Sequence, residues 1–419
     1  MEPLNTILIQ LIVILTTARL VGFLFRKMGQ PSVIGEMTAG LMLGPSLFGA
    51  LSPEVYSLTF PQDSFDTLNA LSRLGVWLFM FLVGVELDIS VLRKVGKTAV
   101  VISQVSILTP MVFGVALAFA LYPDFSQEGV HFNAFALFLG AAMSITAFPV
   151  LARILKERLL TNTKLGVIAI ACAAVDDVTA WVILAVTMLL IKPELSGGLL
   201  WWNMTAVVVY TATMLFAVRP LLASWMKPRK ELSNDLFAVL MIFFFISCLT
   251  TRLIGVHALF GAFLFGVVLP KDNWVTEGFY KRLEPIVAYV LLPLFFAFTG
   301  LRTDIALIDT PQLWLVAFSV VAVAVAGKFI GAMVPARLMG RGWRESAAIG
   351  ALMNTRGLME LVILNIGLEV GIISPSLFSM MVIMALVTTY MTVPLLRWVM
   401  PRGSEEEAPA QPAPIAVSG

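Results

Sequence analysis

Charged residues are scarce in this sequence. Asp, Glu, Lys and Arg make up 13% of its 419 residues, about half of the roughly 25% that is usual in soluble domains. Hydrophobic residues make up 59%, and the mean hydropathy is +0.93. These values exclude a water-soluble globule, a disordered chain and a coiled coil. They predict an all-α polytopic membrane protein, because a bilayer core of about 30 Å requires apolar stretches of about 20 residues.

Cysteine and histidine are nearly absent as well. Cys172 and Cys248 lie in apolar runs, and His131 and His257 are the two histidines. Their scarcity excludes a disulfide framework and a metal centre built from thiolate or histidine ligands. The sequence also has no nucleophile motif and no phosphate-binding loop, so we expect neither an enzyme nor a bound cofactor. The net charge of +2 gives no reason to expect a nucleic-acid partner.

Apolar stretches follow one another along the chain with short breaks. We predict each to be a transmembrane helix, because the backbone finds no water to bond inside lipid. The 13 predicted spans are residues 5–25, 32–50, 68–87, 98–121, 132–154, 164–191, 199–222, 235–253, 255–270, 284–302, 312–338, 345–370 and 375–398.

Basic residues indicate how the spans are oriented. Of the 28 lysines and arginines, 21 fall in alternate loops and only 3 in the intervening loops. The positive-inside rule then predicts an N-terminus outside and a cytoplasmic C-terminus. The first span has no small-residue cleavage site, so we expect a retained helix. Residues 401–419 carry a short acidic run and a Pro/Ala-rich segment, which predicts a disordered cytoplasmic tail.

A weak internal repeat is present. Residues 78–88 (LFMFLVGVELD) match residues 294–304 (LFFAFTGLRTD) at four of eleven positions, and Gly35 and Gly40 have the spacing of Gly261 and Gly266. The matched spans are seven apart, so the two halves, about 5–191 and 235–398, would have opposite topology. Inverted repeats are typical of secondary transporters. A chance match within apolar sequence is the alternative.

Several ionisable residues lie deep in the predicted spans. Because placing a charge inside the bilayer costs free energy, a functional role is the first hypothesis for each of them. Asp176 and Asp177 lie near the middle of span 6, and Lys328 lies in the middle of span 11. Adjacent helical residues point about 100° apart, so one aspartate could line a cavity while the other meets a partner. Lys328 is the natural partner. For Asp176–Lys328 the alternative is a static ion pair that holds two helices together, and Asp177 would be left without a fixed partner.

Two spans are interrupted at corresponding positions. Span 5 contains residues 144–149 (SITAFP), and span 12 contains residues 353–357 (MNTRG). Broken helices near the membrane midplane expose carbonyls and helix ends that coordinate small ions. An ordinary proline kink, with Ser and Thr bonding the freed groups, is the alternative. Span 12 also carries Arg356 and Glu360 on one helix face, four residues apart.

These motifs together resemble a known family. Residues 29–36 (GQPSVIGE), 146–153 (TAFPVLAR), 175–178 (VDDV) and 354–361 (NTRGLMEL) are similar to the monovalent cation:proton antiporter-2 family, of the Kef and plant CHX type. The similarity runs from about residue 5 to 400. It implies the sodium/proton antiporter fold over 1–400, with an interleaved dimerisation scaffold and ion-carrying core and two discontinuous, crossing helices. It also implies a homodimer that exchanges Na⁺ or K⁺ for H⁺.

The resemblance also implies roles for individual residues. Asp177 would bind the monovalent cation and the proton, and Asp176 would be its neighbour in contact with Lys328. Thr146 and Asn354 would complete the ion site at the crossing, whereas Arg356 and Glu360 would form a structural charge pair in the core. We expect no cytosolic nucleotide-binding domain, and this expectation departs from the Kef type. The Asp-Asp pair of this sequence, with a membrane lysine, is similar to electrogenic exchangers.

Two other functions stay open at this level. An ion channel would share the buried charges, and a solute:sodium symporter of the same fold, of the bile-acid transporter type, would share the architecture. The symporter type normally uses polar residues and Na⁺ ligands rather than an Asp-Asp pair facing a lysine. The main expectation is a cation/proton antiporter of the bacterial inner (plasma) membrane, with the lipid bilayer, monovalent cations and protons as its partners.

Overall fold

The structure, a computed structural model, describes residues 3–87, 97–161, 163, 165–173, 175, 176, 179 and 198–400. Helices dominate this part of the chain, and one isolated β-bridge joins Ser126 to Ile373. The helices are α1 Pro3–Lys27, α2 Ser32–Leu43, α3 Pro53–Thr59, α4 Phe65–Glu86, α5 Lys97–Phe125, α6 Phe132–Ser144, α7 Phe148–Glu157, α8 Gly198–Thr213, α9 Arg219–Met226, α10 Asn234–Leu253, α11 Ala258–Val268, α12 Asn273–Ile286, α13 Leu292–Leu301, α14 Pro311–Leu338, α15 Trp343–Met353, α16 Leu358–Glu369 and α17 Pro375–Val399.

The described helices confirm an all-α membrane architecture. Eight helical stretches are long and apolar enough to cross a membrane, or nine if the pair α15 and α16, bent by 41°, counts as one span. Three shorter apolar helices, α2, α6 and α11, accompany them. Twelve of the predicted spans coincide with described helices. Most of the remaining span, 164–191, lies outside the described residues, so the number 13 stays a prediction.

The helices pack in two groups. In the first helix group, α2 packs against α1 and α13, and α4 packs against α11 and α13. In the second helix group, α5 packs along α6 and α14, while α15 and α16 pack against α17. The surface between the two groups, which we call the seam, includes contacts of α16 with α13 and of α17 with α2.

Two helix crossings in the first group agree with the predicted duplication. Gly40 of α2 faces Gly300 of α13, and Gly84 of α4 faces Gly266 of α11. A Cβ atom added at any of these four glycines would overlap the backbone of the facing helix, so the close approach requires glycine. The predicted repeat matches Gly40 with Gly266 and Gly84 with Gly300. Exchanging the two halves therefore turns one crossing into the other.

Candidate functional site

Two broken helices cross inside the second helix group, which confirms the two interruptions predicted from the sequence. The first break, residues 145–147, separates α6 from α7, and the second, residues 354–357, separates α15 from α16. The breaks are joined where the Ala147 amide donates to the Thr355 carbonyl over 2.9 Å. Gly357 has φ +150°, a backbone conformation that other residues rarely adopt. The freed backbone groups thus bond across the crossing instead of within a helix.

Asp176 lies beside this crossing and is almost completely buried. Its Oδ1 accepts a hydrogen bond of 2.8 Å from Ser103, and its Oδ2 accepts one of 2.8 Å from Thr146 and one of 2.9 Å from Lys328. The Ser106 hydroxyl lies 3.4 Å from both oxygens. The Lys328 side chain is 0% exposed, so the ammonium and carboxylate compensate each other's charge away from water. Both oxygens of this carboxylate therefore accept short hydrogen bonds from described residues.

Asp177, the predicted carrier, lies outside the described residues. Residues 165–173, 175 and 176 are helical, and the Thr179 hydroxyl donates to the Val175 carbonyl over 2.9 Å, a bond typical of an α-helix. Of the acidic pair, the structure therefore describes Asp176 alone.

Asn354 occupies the start of the second break and is fully buried. Its Nδ2 lies 3.4 Å from the Thr388 carbonyl, and its Oδ1 has no hydrogen-bond partner among the described residues. A buried oxygen acceptor without a donor is costly in a folded protein. Its neighbour Met353 has a carbonyl 3.2 Å from the Thr146 hydroxyl of the other break. Oxygen atoms of both broken helices therefore gather at the crossing, as a dehydrated monovalent cation would require.

Arg356 connects the two broken helices. Its Nη1 donates to Glu360 over 3.0 Å and to the Ala142 carbonyl over 3.1 Å, and its Nη2 donates to the Met143 carbonyl over 2.7 Å. These carbonyls belong to the last turn of α6, where a cation also compensates the negative helix end. Within the described part of the chain, Glu360 Oε2 and Arg356 Nε have no hydrogen-bond partner. Arg356 therefore links the second break to the last turn of α6, and the structural role that the resemblance implies for the pair stays a prediction.

Sequence analysis missed the hydroxyl groups that support the site. Ser103 and Ser106 reach Asp176 from α5. On α17, the Thr389 hydroxyl accepts from the Arg356 amide over 3.0 Å and lies 2.8 Å from the Arg356 carbonyl. The available signal was the spacing of the two serines, three residues apart in an apolar stretch and hence on one helix face.

A cavity of about 610 Å³, the inner cavity, leads to the crossing along the seam. It is lined by Phe148 and Val150, just after the first break, and by Leu358, just after the second. The Asp, Glu, Lys and Arg side chains in its described wall are Arg19, Arg26, Glu36, Glu86 and Glu284. Arg26 and Glu86 stand at the ends of α1 and α4 that the predicted orientation assigns to the cytoplasmic side.

The chain matches known proteins over nearly its full length. The family model for the transmembrane sodium/hydrogen exchanger matches residues 12–400. A relative named Na⁺/H⁺ antiporter NhaS4, from Synechocystis, is 43% identical over 94% of this chain and 97% of its own length. Cation/H⁺ antiporter 17 of Arabidopsis thaliana is 38% identical over 94% of this chain and 48% of its own length. K⁺/H⁺ antiporter 1 of Saccharomyces cerevisiae is 36% identical, with coverages of 96% and 47%.

A solved structure shares the fold. The sodium proton antiporter MjNhaP1 from Methanocaldococcus jannaschii superposes with a TM-score of 0.60 at 18% identity, covering 94% of this chain and 96% of that one. The chain spans about half the length of the plant and yeast relatives and nearly all of the cyanobacterial relative. The sequence-based resemblance is confirmed: the chain belongs to the sodium/hydrogen exchanger family of membrane transporters, among the monovalent cation:proton antiporters.

Proposed function

We propose that this protein is a secondary active antiporter that exchanges Na⁺ or K⁺ for H⁺ by alternating access. Cation and proton compete for the carboxylate of Asp177. The observation that carries this proposal is the set of short hydrogen bonds by which Ser103, Thr146 and Lys328 hold both oxygens of Asp176. Asp176 is therefore a fixed part of the site. Adjacent residues on a helix point about 100° apart, so in this proposal Asp177, and not Asp176, carries the transported ions.

Exchange of cations for protons follows if the core moves only when Asp177 carries a cation or a proton. The deprotonated Asp177 binds a cation that has lost its water, and the protonated form is neutral. Both loaded forms can cross, whereas the bare carboxylate is held back by the cost of burying an unpaired charge. Thr146 and Asn354 supply oxygen ligands, and the unpartnered Asn354 Oδ1 supports this role because a bound cation would satisfy it.

The two helix groups support a moving-core mechanism. In this proposal the first helix group is the dimerisation scaffold, and the second, which holds the crossing, is the core that shifts along the seam. With the predicted orientation, the inner cavity would give access from the cytoplasmic side. The protein works as a homodimer in the bacterial inner membrane, with its N-terminus outside. The relatives named as Na⁺/H⁺ and K⁺/H⁺ antiporters leave both cations as candidate substrates.

Purified protein in liposomes tests the proposal directly. With an imposed pH gradient and an enclosed pH-sensitive dye, addition of Na⁺, K⁺ or Li⁺ should dissipate the gradient. Asp177→Asn should abolish this response, because an uncharged amide lacks the negative charge that binds a proton or a cation. Asp309→Asn is the matched control, because Asp309 is an exposed aspartate in the loop before α14 and should not affect exchange.

Retained exchange by folded Asp177→Asn would refute the carrier assignment. No response to any cation from folded wild-type protein would favour the solute:sodium symporter instead. Currents far above carrier rates in a planar bilayer would favour a channel.

A further inference from the structure

The seam is closed at the end opposite the inner cavity. There a pocket of only about 30 Å³, the outer pocket, is lined by residues of α4, α11, α13 and α16 and by His257. Residues 362, 365, 366 and 369 of α16 line it, and they recur at helical spacing on one face. The first residue of the same helix, Leu358, lines the inner cavity. One helix of the second group therefore borders the open and the closed end of the seam.

Two ion pairs tie the last turn of α16 across the seam. Glu369 Oε2 accepts from Arg73 Nη2 of α4 over 2.6 Å, and Glu369 Oε1 accepts from Arg302 Nη1, just after α13, over 3.0 Å. One turn earlier, Asn365 accepts from Arg302 over 3.3 Å and donates to Thr299 over 2.9 Å. Each oxygen of the Glu369 carboxylate is thus held by a different helix region of the first group.

We propose that Glu369, Arg73 and Arg302 form an outer latch, which keeps the outer pocket closed and must open before cations reach the site from outside. The proposal rests on the proposed alternating-access function. Its physical basis is the position of the ion pairs, because they join the two bodies that have to move relative to each other.

The exposure of these side chains fits a contact that is broken in every cycle. The side chains of Arg73, Glu369 and Arg302 are 38%, 24% and 20% exposed. Water can therefore solvate the separated charges, and partly exposed pairs break at low cost. The fully buried Lys328–Asp176 pair lies within the second group and is a poor candidate for repeated breakage.

Two cysteine reporters can follow both ends of the seam. Ser72 lies in the wall of the outer pocket and Ser32 in the wall of the inner cavity, and both are buried. In a background with Cys172 and Cys248 replaced by alanine, Ser72→Cys and Ser32→Cys would each be the single thiol. A charged thiol reagent is added to the full chain in lipid nanodiscs. Both membrane faces are then accessible, so the assay does not depend on orientation.

Glu369→Gln removes the charge that both arginines bind. We expect the labelling rate at Ser72→Cys to rise by more than about fivefold, because one partly exposed ion pair at the upper end of its usual range accounts for about fivefold and this variant loses two. The rate at Ser32→Cys should fall, because opening one end closes the other. Glu345→Gln is the matched control. Glu345 is also 24% exposed and pairs with Arg341 at 3.0 Å, but that pair lies within one chain segment and does not cross the seam.

An unchanged rate at Ser72→Cys in the folded Glu369→Gln protein would overturn the latch. Higher rates at both reporters would also overturn it, since they would indicate general loosening. If Glu369→Gln does not fold, Arg73→Gln removes one pair and should shift the rates in the same directions by less. Labelling requires no cation flux. Failure of the latch with intact exchange, or an active latch without exchange, would therefore separate this proposal from the proposed function.

Discussion

Two fully buried ion pairs in the second helix group are built in different ways. Lys328 and Asp176 come from helices far apart in sequence, and the hydroxyl groups of Ser103 and Thr146 complete the hydrogen bonds of the carboxylate. Arg356 and Glu360 lie four residues apart, and the arginine also binds two carbonyls of α6.

The difference shows two ways of stabilising a charge away from water. The Lys328 ammonium depends on Asp176, whereas the Arg356 guanidinium has backbone acceptors besides its carboxylate. A buried charge that loses its sole countercharge is very costly, but one that keeps strong acceptors loses less. The first pair should therefore be the more sensitive to removal of one partner.

The largest effect should come from Lys328→Met. It leaves the Asp176 carboxylate buried without a countercharge, and we expect the free energy of unfolding to fall by about 3–5 kcal/mol. Denaturant unfolding in detergent micelles measures this. The double variant Lys328→Met with Asp176→Asn removes both charges and should recover part of the loss. If the double variant lost as much unfolding free energy as the two single variants together, Lys328 and Asp176 would not be coupled.

Glu360→Gln should have a smaller effect. Arg356 keeps the carbonyls of Ala142 and Met143 as acceptors, so we expect a loss of about 1–3 kcal/mol, the usual cost of a hydrogen bond lost from a charged group. The same unfolding assay compares it with Lys328→Met. If Glu360→Gln proved the more damaging of the two, the backbone carbonyls would not be compensating the guanidinium.

The smallest effects concern the two serines around Asp176. Ser103→Ala removes a hydrogen bond of 2.8 Å to Oδ1 and should cost about 1 kcal/mol. Ser106→Ala is the matched control. The Ser106 hydroxyl donates its proton to the Ser103 carbonyl over 2.9 Å and lies 3.4 Å from both carboxylate oxygens. It therefore stabilises the carboxylate less than Ser103 does, and its loss should cost less. Equal losses for the two variants would mean that the longer contacts contribute as much as the short one.

Features carried by a few consecutive residues could be predicted from the sequence. The breaks in the predicted spans 132–154 and 345–370 were predicted from proline and from polar residues with glycine, and the structure has both. The spacing of Arg356 and Glu360 also predicted their contact. These signals are local, because in lipid each backbone segment must satisfy its own hydrogen bonds.

Other features depend on packing between distant segments. Ser103 reaches Asp176 across 73 residues, and Arg73 reaches Glu369 across 296. No sequence pattern indicated the inner cavity, the outer pocket or the ion pairs between Glu369 and its two arginines. The predicted number of spans and the position of Asp177 stay predictions, because they concern residues outside the described part of the chain.

The sequence by itself determined that this protein is a bundle of membrane helices with two broken helices and buried charges, because a bilayer imposes its requirements on every segment separately. The tertiary structure alone decided which groups surround Asp176, how the two breaks bond to each other, and which end of the seam is closed. Those properties depend on how helices distant in sequence pack. In an apolar solvent, packing is governed by close contacts such as Gly40 with Gly300, which leave little trace in the local sequence.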